Sequence, residues 1–245
     1  MRDNPPPRFR FETVASTLEQ AWQLLEEGRA PPFWVTADLQ LKGRGRQQRQ
    51  WHSPKGNLYS TFVVRETPGL KRSLLPFAVS VAVRTAMLRV LPPNQHRAIQ
   101  LKWPNDVLAA GAKIAGILIE TRQTLEGGVF AIGIGINVAE PPTDLNRPTT
   151  ALKSLGCEET IDNFFNALSQ EIDIKIEVLL QTPERVLPAW MSAAVGIGKP
   201  VTVHLEAEIL NGTFDHLAAD GALMLRQSSG AIRPIYAGDL FVTQG

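Results

Sequence analysis

The segment Lys42–Lys55 carries five lysines and arginines and no acidic residue, in a chain whose formal net charge is only +1. Gly43 and Gly45 sit among them, and glycine lets a backbone approach a ligand closely. Arg44, Arg46 and Arg49 supply planar forks of N–H donors that fit phosphate or carboxylate. Such a loop suits a polyphosphate substrate, and a solvated basic loop fits the same composition. It is not a Walker loop, because no Gly-Lys-Ser/Thr follows.

Three further clusters could take part in chemistry. Lys102-Trp103-Pro104-Asn105-Asp106 falls at the end of a β-like run. Pro104 cannot donate to a ladder, so Asn105 and Asp106 are expected at a turn. Lys113 opens an apolar strand, with Gly116 three residues on. A lysine there could reach a phosphoryl oxygen from a cleft, or could simply snorkel to the surface. Gly133-Ile134-Gly135-Ile136-Asn137 places glycines inside a strand, which marks close approach of a ligand or of another backbone.

These residues need a scaffold, and hydropathy periodicity supplies one. Phe9–Val14 reads as a strand. Ser16 and Glu19 form a capping box for a helix that puts Leu18, Trp22 and Leu25 on one face and stops near Gly28. Phe33–Thr36 and Leu58–Val64 read as strands, with a functional or disordered loop of about twenty residues, 37–56, between them. Ser73–Leu91 has helical period. Ile99–Trp103, Lys113–Thr121 and Val129–Val138 read as strands, the last two apolar enough for the centre of a sheet. Thr150–Leu155, ending at Gly156, then Ile161–Leu180 and Pro183–Ala194 read as helices. Beyond Gly198 the texture turns to short β-runs. Asn211-Gly212, Asp220-Gly221 and Ser229-Gly230 are the expected hairpin turns of a small β-barrel. The division is placed at 1–195 and 196–245.

Composition narrows the function. The near-neutral charge gives no global field toward nucleic acid or membrane. Cys157 is the single cysteine. It therefore forms no internal disulfide, and no Cys/His cluster suggests a dedicated metal site. Residues 1–4 are followed by prolines rather than an apolar run, so no signal peptide is expected. No segment reads as approaching the roughly 18 apolar residues of a membrane span. The cytoplasm is the expected compartment.

Taken in order, Gly-Arg-Gly-Arg-x-x-Arg-x-Trp (43–51), Ser-Pro-x-Gly-Asn-Leu-Tyr (53–59), Lys-Trp-Pro-Asn-Asp (102–106), Lys-Ile-Ala-Gly-Ile-Leu (113–118) and Gly-Ile-Asn-Val (135–138) closely resemble the biotin–protein ligase family. The resemblance runs from Ser16 to Asn137. It implies an α+β fold: a mixed β-sheet with packed helices, like class II aminoacyl-tRNA synthetases, plus a small C-terminal SH3-like β-barrel. It also implies two reactions. Biotin and ATP give biotinyl-5′-AMP, and a carrier lysine then takes the biotin.

By resemblance, Ser16, Thr17, Gln40, Gly43, Arg44 and Gly116 meet biotin, with Gly43 and Arg44 acting largely through backbone. Arg46 and Arg49 face the phosphates. Trp51, Asn105 and Asn137 bound the nucleotide. Lys113 bridges the biotin carboxylate and the α-phosphate, and Asp106 acts in transfer; Arg46 joins these as the third catalytic residue. Mg²⁺ accompanies ATP. The implied partner is the biotin carboxyl carrier protein of acetyl-CoA carboxylase, with no DNA and no membrane, and members occur as monomers and as homodimers. Two positions depart from the family pattern: Gln48 replaces a glycine and Leu18 an asparagine. Too few residues precede the catalytic region for the helix-turn-helix domain that some members carry. Lipoate–protein ligase shares the chemistry, but its Arg-Arg-x-Gly-Gly-Gly loop is absent. A nucleic-acid-binding module built on the basic loop and terminal β region is the alternative of a different class.

Overall fold

The structure is a computed structural model that describes residues 5–142 and 147–242. The first part is built on a seven-stranded sheet. Its strands are β1 (Arg8–Val14), β2 (Phe33–Gln40), β3 (Leu58–Arg65), β4 (Ile99–Lys102), β5 (Asp106–Ala109), β6 (Ala112–Thr124) and β7 (Gly127–Ile136). Their order is β1-β2-β3-β7-β6-β5-β4. Only β1 and β2 pair in parallel, so the sheet is mixed.

Strand alternation sends the apolar side chains to two faces. Trp34, Phe62, Phe130, Ile132, Ile134 and Ile136 meet helices α2 (Leu75–Val90), α3 (Ile161–Gln181) and α4 (Val186–Met191) in the main core. Phe33, Val35, Val63, Val129 and Ala131 point the other way, onto Leu18, Ala21, Trp22 and Leu24 of α1 (Thr17–Glu26). On that second face β7 continues as Gly133 and Gly135. Large side chains thus give way to none along one strand, and the sheet is laid bare beside the start of α1.

Several expectations needed correction. The strand expected to end at Thr36 runs to Gln40, so the loop 37–56 begins later and is partly organised. Arg44 and Gln50 form an antiparallel bridge around a 3₁₀ turn at Arg46–Gln48. Asp106 is not merely presented at a turn: it opens β5, which pairs with both β4 and β6. The helix at Thr150–Leu155 shrinks to a 3₁₀ turn, Lys153–Leu155, closed by Gly156 at φ +86°. Pro183–Ala194 contains a 3₁₀ turn and only the short α4. Segment Arg72–Val90, a 3₁₀ turn running into α2, is long and apolar enough to cross a membrane, with 19 residues and mean hydropathy 1.4. It is instead the core helix, buried between the sheet and α3.

The second sheet holds β8 (Pro200–His204), β9 (Ile209–Leu217), β10 (Leu223–Arg226), β11 (Ile232–Ile235) and β12 (Asp239–Val242), in the order β11-β10-β9-β8-β12. The expected barrel is not closed: among the described residues β11 and β12 are the two edges and do not pair. They are nevertheless consecutive in the chain. Four residue steps from Ile235 to Asp239 span at most about 14 Å. A flat five-stranded sheet would part its edges by about 19 Å. The sheet must therefore curl enough to bring its edges closer than in a flat sheet. Asp220-Gly221 and Ser229-Gly230 lie in tight turns as expected. Asn211-Gly212 does not. It lies inside β9, where a Cβ on Gly212 would stand 2.5 Å from the Arg226 carbonyl oxygen. The turn joining β8 to β9 closes instead through Leu205 N donating to Glu208 O at 2.9 Å. Gly221 lies against Phe77 of α2, and Trp103 Nε1 donates to its carbonyl at 3.2 Å, which docks the two parts.

Candidate active site

The bare end of β7 is the floor of a cleft. Gly116 on β6 and Gly135 on β7 are register partners, and the Trp51 ring lies on the patch they leave. A Cβ on Gly116 would come within 2.9 Å of that ring, and one on Gly135 within 2.6 Å. The wall at one end is the start of α1. Ser16 is the N-cap, its Oγ accepting from Glu19 N at 3.1 Å. Gln40 Oε1 accepts from Thr17 N at 2.8 Å and from Thr17 Oγ1 at 3.1 Å, while Gln40 Nε2 donates to Ser53 Oγ at 2.9 Å. Thr61 Oγ1 donates to Thr17 Oγ1 at 2.9 Å. These buried polar groups form a rigid end wall with lone pairs to spare.

The other end is charged, and a β-bulge places its central group. Val107 pairs with Ala115 but Leu108 pairs with Lys113, so Ile114 is the extra residue. Ile114 turns into the core, and Lys113 points into the cleft instead. Bulges beside active sites commonly re-aim a side chain in this way. Lys113 Nζ lies 2.5 Å from Asp106 Oδ1 and 5.2 Å from the centre of the Trp51 ring. Burial pushes the Lys113 ammonium below its ordinary pKa; Asp106 opposes the shift and Arg147 adds to it. Next to this pair Asn105 Nδ2 donates to Ile117 O at 2.6 Å, and Arg46 Nη1 donates to Asn105 Oδ1 at 3.2 Å. Burial also lowers the Arg46 guanidinium, with Asp239 and Asp106 pulling it back.

Most of the residues singled out in the sequence line this one cleft. Ser16, Thr17, Gln40 and Arg44 stand toward one end, and Arg46, Arg49, Asn105, Asp106 and Lys113 toward the other, over Gly116 and Trp51. Gly43 does not line it. It packs against its own loop, where a Cβ would stand 2.5 Å from Trp51 O and 2.6 Å from Ser53 Oγ. Arg44 sends its side chain to Glu120, 3.5 Å away. Asn137 lies outside the main cleft, in a small recess behind Trp51 lined also by Thr149 and Arg147. There its Nδ2 donates to Thr150 O at 3.0 Å, and its buried Oδ1 has no partner; the buried Trp51 Nε1 has none either. Asn57, from the Ser-Pro-x-Gly-Asn-Leu-Tyr run, braces the chain just beyond, its Oδ1 accepting from Val138 N at 2.8 Å and Ala139 N at 3.0 Å. Cys157 is buried away from the cleft, and burial pushes its thiol up.

Two charged cleft residues, Arg147 and Asp239, escaped the sequence reading. Arg147 lies in a loop with no pattern to flag it. Asp239 lies 190 positions from its partner Arg49, and only folding of the second sheet brings it there.

A model described as the biotin/lipoate A/B protein ligase family matches residues 11–138, and one described as the biotin protein ligase C terminal domain matches 196–242. The chain is 31% identical over 217 residues to a biotin–[acetyl-CoA-carboxylase] ligase of Paracoccus denitrificans, spanning 84% of this chain and 89% of that one. It is 34% identical over 250 residues to the bifunctional ligase/repressor BirA of Bacillus subtilis (strain 168), spanning 94% and 72%. The biotin protein ligase of Aquifex aeolicus in complex with biotin and ATP superposes with a TM-score of 0.80 at 25% identity, over 98% and 99% of the two chains. That of Leishmania major in complex with biotinyl-5-AMP gives 0.69 at 28% identity, over 96% and 100%.

Proposed function

This chain belongs to the biotin/lipoate A/B protein ligase family, and from that premise we propose how its cleft carries out ATP-dependent biotin–protein ligation. In the first step a biotin carboxylate oxygen attacks the α-phosphorus of ATP. The P–O bond to the leaving pyrophosphate breaks, and biotinyl-5′-AMP forms. In the second, a carrier lysine amine attacks the acyl carbon, giving an amide and releasing AMP.

One observation carries the assignment: a buried lysine, aimed by a β-bulge, shares one cleft with a polar end wall and a pair of arginines. Two anions must meet in the first step. Lys113 can offset the charge that builds as carboxylate meets phosphate, and Arg46 and Arg49 can hold the phosphates. Ser16, Thr17 and Gln40 offer hydroxyl and amide groups suited to a ureido ring at the closed end. The unpartnered Oδ1 of Asn137 is a free acceptor for an exocyclic amine beside the Trp51 indole, which suits adenine. Fixing both reactants this way makes the attack effectively intramolecular. Asp106, touching Lys113, is placed to take a proton from the incoming lysine amine in the second step. Mg²⁺ arriving with ATP would find hard oxygen donors in Asp106, and it would spread the triphosphate charge.

We take 1–195 as the catalytic part and 196–245 as the C-terminal part, a boundary supported by the start of the C-terminal domain match at 196. The finer likenesses, to class II aminoacyl-tRNA synthetases and to SH3 folds, are supported by helices packed on a mixed sheet and by a second, five-stranded antiparallel sheet. The carrier is taken to be the biotin carboxyl carrier protein of acetyl-CoA carboxylase, as the relatives' names suggest. The test is pyrophosphate exchange into ATP with Mg²⁺ and biotin, with lipoate and octanoate in parallel. Exchange with biotin alone is expected, and exchange with lipoate alone would overturn the substrate.

A further inference from the structure

The corner Gly238–Asp239 belongs to the C-terminal sheet, yet it holds the basic loop of the catalytic part. Gly238 O accepts from Arg46 Nη1 at 3.3 Å, and Asp239 Oδ2 accepts from Arg49 Nη2. The corner is firmly seated. Gly238 has φ +148°, and a Cβ there would meet Leu205 Cδ2 at 2.9 Å and His204 O at 3.0 Å. Asp239 opens β12, which is zipped to β8 along its length. Burial pushes the Asp239 carboxyl up, but Arg49, Arg46 and Lys102 outweigh it and hold it below its usual range. The carboxylate is thus an anion lodged among the cations at the phosphate end of the cleft.

Resting on the ligase reading above, Arg46 and Arg49 must present their N–H groups to phosphate oxygens. A carboxylate and a phosphate oxygen seek the same donors, and one Nη2 cannot serve both at full strength. We propose that Asp239 is an internal competitor for the nucleotide: its carboxylate stands in for a phosphate oxygen, holds the arginine loop against the C-terminal sheet, and thereby sets the affinity for ATP. Arg49 is half exposed, so the pair exchanges partners readily rather than locking the site. When ATP arrives, Arg49 turns to the phosphates, and Asp239 is left as a like charge facing them. Nucleotide binding therefore loosens the hold of the C-terminal sheet on the loop.

The test compares Asp239→Asn with the unaltered protein in biotin-dependent pyrophosphate exchange. The variant is expected to lower the KM for ATP about threefold to fivefold, the scale of one partly exposed ion pair. Its KM for biotin should not move. Trypsin should cut the loop at Arg46 or Arg49 faster in the variant when no nucleotide is present, and biotin with Mg·ATP should protect both proteins alike. Asp239→Glu, which keeps the charge, should hold the ATP KM near that of the unaltered protein. An ATP KM that is unchanged or higher in Asp239→Asn, equal trypsin rates, or a Glu variant that behaves like Asn would each overturn the proposal. An unaltered protein with no biotin-dependent exchange would instead remove the ligase reading, and the proposal with it.

Discussion

Gly135 lies so close under Trp51 that a Cβ added to the glycine would stand 2.6 Å from the indole. The bare backbone is therefore a seat for the ring, and the ring is a wall of the cleft. Gly135→Ala should tilt Trp51 off the floor and disturb the recess behind it. The expected result is a rise of about tenfold in the KM for ATP, the scale of an overpacked site, with a smaller rise for biotin. Trp51→Ala should show the same ordering. Steady-state pyrophosphate exchange checks both, and a larger effect on biotin would reverse the assignment of the two ends.

Lys113→Ala should reduce pyrophosphate exchange by at least about 100-fold, as removal of a donor aimed at developing charge does. Circular dichroism should be unchanged, because Lys113 contributes a charged tip rather than core volume. A variant that exchanges pyrophosphate at the unaltered rate would end the proposed role.

The same lysine gives a pH prediction. Burial lowers its folded pKa below that of the unfolded chain, despite Asp106. As pH rises, the ammonium loses its proton earlier than an ordinary lysine, so exchange should fall on an alkaline limb below the usual lysine range near 10.4. Between the folded and unfolded values the unfolded chain binds more protons, so Lys113 costs stability below that window and the cost fades as pH rises through it. A rate profile with a flat alkaline limb up to the ordinary lysine value would contradict this.

Arg46→Ala removes a guanidinium that bonds Asn105 Oδ1 and Gly238 O and borders the phosphate end. Loss of one charge-assisted bond corresponds to roughly tenfold or more in retention. Biotinyl-5′-AMP should leak from the variant and label lysines of bystander proteins, read by streptavidin blot. Tight retention of the adenylate would count against the assignment.

Ser16→Ala separates two roles of one hydroxyl. Loss of the cap to Glu19 N should lower stability by about 1 kcal/mol in denaturant unfolding. If the hydroxyl also meets biotin, the KM for biotin rises while that for ATP stays level. A stability loss with both KM values unchanged would leave only the cap.

The sequence by itself determined the local chemistry. Ser16 had to cap a helix, because Glu19 follows and an apolar stripe begins at Leu18. Glycines at 133 and 135 had to open one face of β7, because strand side chains alternate. The arginine loop announced itself by its charge, and the ordered motifs gave the family. The tertiary structure decided what local pattern cannot encode. The bulge that skips Ile114 and swings Lys113 into the cleft depends on pairing between β5 and β6, and the strand β5 was hidden behind Pro104 as a turn. Packing puts Gly43 against its own loop, and it sets Asn137 in a recess behind Trp51 rather than in the main cleft. The turn expected at Asn211-Gly212 became the middle of a strand, since the carbonyl of Arg226 presses on Gly212 and needs the space a side chain would fill. Asp239 reaches Arg49 across 190 positions, and no spacing rule spans that distance. Periodicity and composition act over a few turns of chain, whereas long-range charge pairing exists only after two sheets have folded and docked.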